Sequence, residues 1–245
     1  MLAITAKDHN YALPKRVRSG WVTIDLKNAG QAPHHAQLVR LNDGVSEAQF
    51  EATLKTDPQA MLSLVTLAGG PGVVDPGGSQ RVTVYLEPGR YFVLCFVPDD
   101  KGTSHLAHGM IAPLDVVAGD GVAIGEPTAD AEVQMLDFAF VVPTAPKAGK
   151  QTWKIAAAGK QPHEMGLVKL AEGKTSADVQ AWLHQPAGPP PFSNAGGLQA
   201  LDPGEAGYVH LDLTPGAYIA LCHVPDPASG KAHLELGMLQ AFTVR

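Results

Sequence analysis

Apolar and polar positions alternate with a period of two along much of the chain. Trp21-Val22-Thr23-Ile24-Asp25-Leu26, Gln80-Arg81-Val82-Thr83-Val84-Tyr85-Leu86 and Tyr208-Val209-His210-Leu211-Asp212-Leu213 each read as a half-buried strand. The run from Tyr91 to Val97 is apolar on both faces, which predicts a central strand covered on two sides. Turn signals such as Asp75-Pro76-Gly77 and Asp202-Pro203-Gly204 end the apolar stretches. Helical spacing interrupts the pattern once in each half. Ser46 with Gln49 forms a capping-box signature ahead of Phe50 and Leu54, which share a helical face, and Val179 with Leu183 repeat that face. These signals predict an all-β chain of two tandem Greek-key β-sandwich domains, each with one short inserted helix.

The division into two comes from an internal repeat. Pro88-Gly89-Arg90-Tyr91-Phe92-Val93-Leu94-Cys95-Phe96-Val97-Pro98-Asp99 returns as Pro215-Gly216-Ala217-Tyr218-Ile219-Ala220-Leu221-Cys222-His223-Val224-Pro225-Asp226. Gly20 answers Gly149, Thr23 answers Thr152, Pro33-His34 answers Pro162-His163, and Gly69-Gly70 answers Gly196-Gly197. Units of this size exceed the roughly 20 to 45 residues of a solenoid repeat and read as whole domains. The expected domains are residues 1–126 and 127–245, joined by a Gly, Ala and Asp-rich linker over 118–130.

Composition narrows the function classes. The chain has 245 residues, 18 basic against 24 acidic, and a formal charge of -6, which leaves no electrostatic footprint for nucleic acid or an anionic membrane. No apolar run approaches the roughly 20 residues of a membrane-spanning helix, and Met1-Leu2-Ala3-Ile4-Thr5 lacks the features of a signal peptide. The expected partners therefore include neither nucleic acid nor membrane. Cys95 and Cys222, the only two cysteines, occupy equivalent places in separate repeats, so free thiols are expected rather than a disulfide.

Each cysteine is followed by a loop that ends alike, His105-Leu106-Ala107-His108-Gly109-Met110 in one half and His233-Leu234-Glu235-Leu236-Gly237-Met238 in the other. Thiolate, imidazole and thioether together favour a soft metal, and a His2Cys set with a weak Met belongs to blue-copper electron-transfer sites. The candidate ligands are His34, Cys95, His105 and Met110 in the first half, and His163, Cys222, His233 and Met238 in the second. Alignment of the copies selects His34 over His35, which falls on Glu164, and His105 over His108, which falls on Leu236. Glu164 reads as a solvated strand-edge carboxylate or as an acceptor that orients an imidazole. His9, His184 and His210 have no counterpart and read as structural. Cysteine also packs as a small buried hydrophobe, and duplication copies a core as readily as a site.

At these residues the chain resembles the cupredoxin family. Asn28-Ala29-Gly30-Gln31-Ala32-Pro33-His34 looks like its first ligand region, Gly89 to Cys95 is similar to its cysteine strand, and His105 to Met110 resembles the ligand loop of copper nitrite reductases. The second half matches through Pro162-His163, Tyr218 to Cys222 and His233 to Met238, without the Asn. The resemblance implies type 1-like copper, one or two ions, held by thiolate and two imidazoles with Met axial. It also implies single-electron exchange with a redox protein partner, a periplasmic or extracellular setting, and compatibility with a homo-oligomer.

The chain departs from the catalytic relatives. Their second copper centre recruits histidines from His-x-His pairs or from beside the cysteine, whereas this sequence has no His-x-His pair and only His223 follows a cysteine. Oxidase or nitrite reductase chemistry is therefore disfavoured. The sequence leaves open an electron carrier, a metal-free interaction module of the same fold, and a copper storage or delivery protein.

Overall fold

The computed structural model describes residues 1–57, 60–119, 125–143 and 146–245. The first half contains β1 (Leu2–Lys7), β2 (Asn10–Ala12), β3 (Arg16–Arg18), β4 (Gly20–Asn28), β5 (Gln37–Leu41), α1 (Glu47–Thr56), β6 (Val65–Leu67), β7 (Pro71–Val73), β8 (Ser79–Leu86), β9 (Gly89–Leu94) and β10 (Ile111–Val117). The second contains β11 (Ala131–Leu136), β12 (Ala139–Val141), β13 (Gly149–Ala157), β14 (His163–Leu170), α2 (Ser176–His184), β15 (Phe192–Leu201), β16 (Ala206–Leu213), β17 (Gly216–Leu221) and β18 (Leu239–Val244). The linker expected over 118–130 falls partly on residues 120–124, outside the described residues.

The predicted alternation is realised in β4, where Val22, Ile24 and Leu26 are buried while their neighbours are partly exposed. The run from Tyr91 to Leu94 is buried throughout, because β9 is the middle strand of the sheet β3-β10-β9-β5-β6. Its counterpart β17 lies in β18-β17-β14-β15-β7. Both inserted helices are N-capped, and the reciprocal capping box is complete in α2 rather than in α1. The Ser46 hydroxyl accepts from Gln49 N–H in α1, and Thr175 with Asp178 makes a complete capping box in α2. Phe50 and Val179 are the buried anchors of the two helices.

The halves are fused more closely than the repeat alone suggests. The remaining strands form one eight-stranded sheet, β12-β11-β13-β16-β8-β4-β1-β2, whose two four-stranded halves meet at β16 and β8. These two would otherwise be open edges, and pairing them removes both. Their antiparallel register sets Val82 opposite Val209, the residue it matches in the repeat. β7 crosses to pair with β15 and sets Pro71 opposite Leu198, again its own counterpart. A local two-fold axis thus relates the halves, and one buried apolar cluster runs from Leu2 to Val244 across both.

Polar groups at the junction are satisfied across it. Gln37 Nε2 donates to Ala200 O at 3.0 Å, and Gly69 N–H donates to the same carbonyl at 2.9 Å. His210 is fixed by Thr83 at 2.9 Å and Thr152 at 3.1 Å, in keeping with its structural reading. Among the described residues, no helix is long and apolar enough to cross a membrane.

Candidate metal centre

Cys95 lies one residue beyond β9, where regular pairing ends and the chain turns into the ligand loop. Its N–H donates to Met110 O at 3.3 Å, and its carbonyl accepts from Leu106 N–H at 2.7 Å. His105 N–H donates to Val97 O, and Met110 N–H donates to His105 O. The loop is nine residues long in the first half (96–104) and ten in the second (223–232), yet both close on the same bridge, Pro98 with Ser104 and Pro225 with Ala232. The Pro-Asp pairs explain how. The Asp99 carboxylate accepts from Lys101 and Thr103 N–H, and the Asp226 carboxylate accepts from Ser229 N–H and Oγ. Each aspartate closes a turn that absorbs the extra length before the histidine returns to the cysteine.

The distant histidine comes from the facing strand region. His34 exchanges backbone bonds with Val74, and His163 pairs with Leu201 at the start of β14. Cys95 Sγ lies 3.5 Å from His105 Nδ1 and 3.9 Å from His34 Nδ1, and the two Nδ1 atoms are 3.1 Å apart. The second half repeats this. Cys222 Sγ is 3.5 Å from His233 Nδ1, which is 3.1 Å from His163 Nδ1. Both His-Cys-His trios are buried and have ligand atoms within 4.8 Å of one another. Both cysteines are free, as expected. Met110 and Met238 are fully buried, and each backbone N–H bonds the carbonyl of its trio's loop histidine.

Burial keeps these groups uncharged. It lowers the pKa of His34 to about 4, helped by His105, and it also lowers His105, His163 and His233. Burial likewise raises both thiols, and Glu164 adds to the effect at Cys222. The second centre fixes its tautomers as well. His163 Nε2 is 3.1 Å from Asp137 Oδ1, an oxygen that also accepts from Lys160 and Gln161 N–H. Although burial opposes it, these bonds hold Asp137 below the usual carboxylate range, so it only accepts and His163 Nε2 must carry the hydrogen. His233 Nε2 donates to Gln161 Oε1 at 3.0 Å, and Gln161 Nε2 donates onward to Asp226. Both Nδ1 lone pairs therefore face the same small space beside the sulfur. Two acceptors 3.1 Å apart repel unless a cation lies between them. The donor set fits a soft cation of this kind.

Close packing behind the imidazoles requires glycine. A Cβ on Gly159 would lie 2.5 Å from His163 Nε2 and 2.4 Å from Asp137 Oδ1, and one on Gly30 would lie 2.9 Å from His34 Nε2. The surroundings otherwise differ. In the first half, Asn28 ties the ligand loop by donating to Ala32 O and Val74 O and accepting from Gly30 N–H. The second has Ala157 at that place, and Asp137 holds the loop instead. His34 Nε2 is buried with no hydrogen-bond partner among the described residues, and Ala32 stands where Gln161 stands in the second half.

Several residues set aside in the sequence reading belong to the surroundings of the centres. Glu164 is not a solvated strand-edge carboxylate. It is buried and accepts from His223 N–H at 2.9 Å and His223 Nδ1 at 3.1 Å. His35, its counterpart, is buried and accepts from Phe96 N–H at 2.8 Å. His9 packs edge-on against His105 with ring centroids 5.1 Å apart, as Phe138 packs against His233 at 5.2 Å. His108 packs at a tilt against His9 and bonds Asp99. Tyr11 donates to His35 O and reaches the Cys95 thiol, whereas Phe140 occupies its place in the second half. The signal for His9 and Tyr11 is the hairpin match of Asp8 with Asp137, which lies upstream of the first matched pair, Gly20 with Gly149.

No protein-family profile and no curated protein matches the chain. Solved structures do. Auracyanin from Roseiflexus castenholzii is 21% identical, with a TM-score of 0.34, over 47% of this chain and 95% of its own. Auracyanin A from Chloroflexus aurantiacus, a blue copper protein, is 19% identical with a TM-score of 0.29 over 46% of this chain and 95% of its own. Copper nitrite reductase from Nitrosomonas europaea is 13% identical with a TM-score of 0.28, and the match covers 100% of this chain and 92% of that one.

Proposed function

We propose that the protein binds copper at both trios and exchanges single electrons, without turnover of a substrate. The observation that supports this is the doubled arrangement of two inward Nδ1 atoms at 3.1 Å and one Sγ at 3.5 Å from the nearer of them, each buried beneath a closed loop. When bound, copper supplies a one-electron couple that a thiolate and two imidazoles stabilise in both oxidation states. The residues supply rigidity and dryness. His34, Cys95 and His105 would hold one ion and His163, Cys222 and His233 the other, with Met110 and Met238 as candidate thioether ligands. The buried thiols lose their protons on metal binding, since only the thiolate ligates. Asp137 and Gln161 keep the Nε2 hydrogens of His163 and His233 in place, so those imidazoles present Nδ1 at every stage. The proposed partner is a redox protein outside the cytoplasm.

Adding cupric ion to the reduced protein tests this reading. An intense visible thiolate-to-copper band with two ions retained per chain is expected. Cys95→Ser and Cys222→Ser should each remove about half of the band. A colourless protein that keeps no copper after dialysis overturns the reading, and colourless retention of zinc alone removes its electron-transfer part.

A further inference from the structure

The two trios are alike in ligands and unlike in charge. Around the second, Asp137 accepts directly from the ligand His163, and the buried Glu164, paired with His223, follows His163 in the chain with its own N–H donating to Cys222 Sγ at 3.4 Å. Gln161 adds an acceptor to His233, backed by Asp226. Around the first, the place of Glu164 is taken by the neutral, buried His35, and that of Gln161 by Ala32. Asp8 stands at the place of Asp137, but His34 Nε2 is buried with no hydrogen-bond partner among the described residues, and Asp99 is engaged by His108. The second trio therefore has one more nearby anion and two acceptor contacts on its imidazoles.

An oxidised copper carries one more positive charge than a reduced one. Anions and acceptors behind the ligands stabilise the oxidised form and lower the reduction potential, most strongly where water is excluded. Resting on the copper reading above, we infer that the centre at His34, Cys95 and His105 has the higher potential, so that of two loaded centres the first is the stronger electron acceptor. In the loaded protein a single added electron would reside at the first trio in preference to the second, with no proton or atom moved. An external one-electron reductant, such as an iron(II) complex, supplies it. Glu164 acts here as a positioning residue for charge and need not touch the metal.

Potentiometric titration of the full-length, copper-loaded protein, with small iron complexes as mediators, tests the inference through the thiolate-to-copper band. The band should bleach in two one-electron steps at least about tenfold apart in equilibrium constant, which is about 59 mV. Glu164→Gln should raise the lower step by about tenfold and the upper one by less, because Glu164 also acts on His35 beside the first trio. Cys222→Ser should retain the upper step alone, and if it does not fold, Glu164→Gln in the otherwise intact chain still assigns the steps. Coincident steps, or a Glu164→Gln shift confined to the upper step, overturn the inference while leaving the copper reading intact. A protein with no band overturns both.

Discussion

The two trios hold the same three side chains at nearly the same distances, yet each half secures them differently. In the first, Asn28 bonds the backbone of the ligand loop and leaves the His34 ring to be held by packing against Gly30. In the second, Asp137 bonds both the loop backbone and the His163 ring, so loop position and ring orientation depend on one carboxylate. Duplicated geometry can therefore persist while its support diverges. Support is what sets charge, acid sensitivity and potential.

Acid should separate the halves most. His34 and His35, both in the first half, are lowered from 6.5 to about 4, chiefly by burial. The unfolded chain binds their protons below pH 6.5 and the folded chain only near 4, so stability falls as pH drops across that window. The loss is on the order of 3 kcal/mol for each histidine. His163 and His233 share the direction in the second half, but Glu164 stands in place of His35 and is held below its usual range by His223 despite its burial. Glu164 thus contributes stability above its unfolded value, and that part is lost only at lower pH. Hydrogen exchange on the metal-free protein should show β5 and β9 losing protection at higher pH than β14 and β17, and the reverse order would contradict the contrast.

Gly159→Ala comes next. The added methyl meets both His163 and Asp137, so a loss of about 3 kcal/mol and a fall in copper stoichiometry from two to one are expected by metal analysis. Gly30→Ala should cost less, because its nearest contacts are 2.8 and 2.9 Å rather than 2.4 and 2.5 Å. Asn28→Ala, which gives the first half the alanine found at 157, removes two buried bonds and one part-buried bond without supplying the Asp137 contact. Denaturant unfolding should report a loss of about 2 kcal/mol, with copper affinity reduced at the first centre alone. Tyr11→Phe, which copies Phe140, should cost about 1 kcal/mol for the bond to His35 O and shift the absorption of the first centre only.

Both trios were legible in the sequence because duplication printed each ligand twice. A lone His9 or His108 carried no such mark, although His9 packs against His105 and His108 against His9. Glu164 reads in the sequence either as solvated or as bonding an imidazole, for a local reason. His163-Glu164-Met165 looks like regular alternation with the carboxylate facing out, but the register shifts between His163 and Met165, and the irregularity goes with a Glu164 side chain that is buried rather than exposed. The β8–β16 junction left no trace either, since a half-buried strand shows the same period whether its edge is open or paired. The short β7 was hidden because its partner lies in the other half.

The register at that junction has a further meaning. Val82 facing Val209 and Pro71 facing Leu198 make the contact isologous, the arrangement by which two identical subunits form a closed C2 dimer. A separate half-chain would have to find its mate by collision, and its folded population would rise and fall with dilution. Covalent linkage replaces that search with a fixed local concentration. It also frees the two copies to diverge, because a substitution such as Glu for His beside one cysteine is no longer imposed on both.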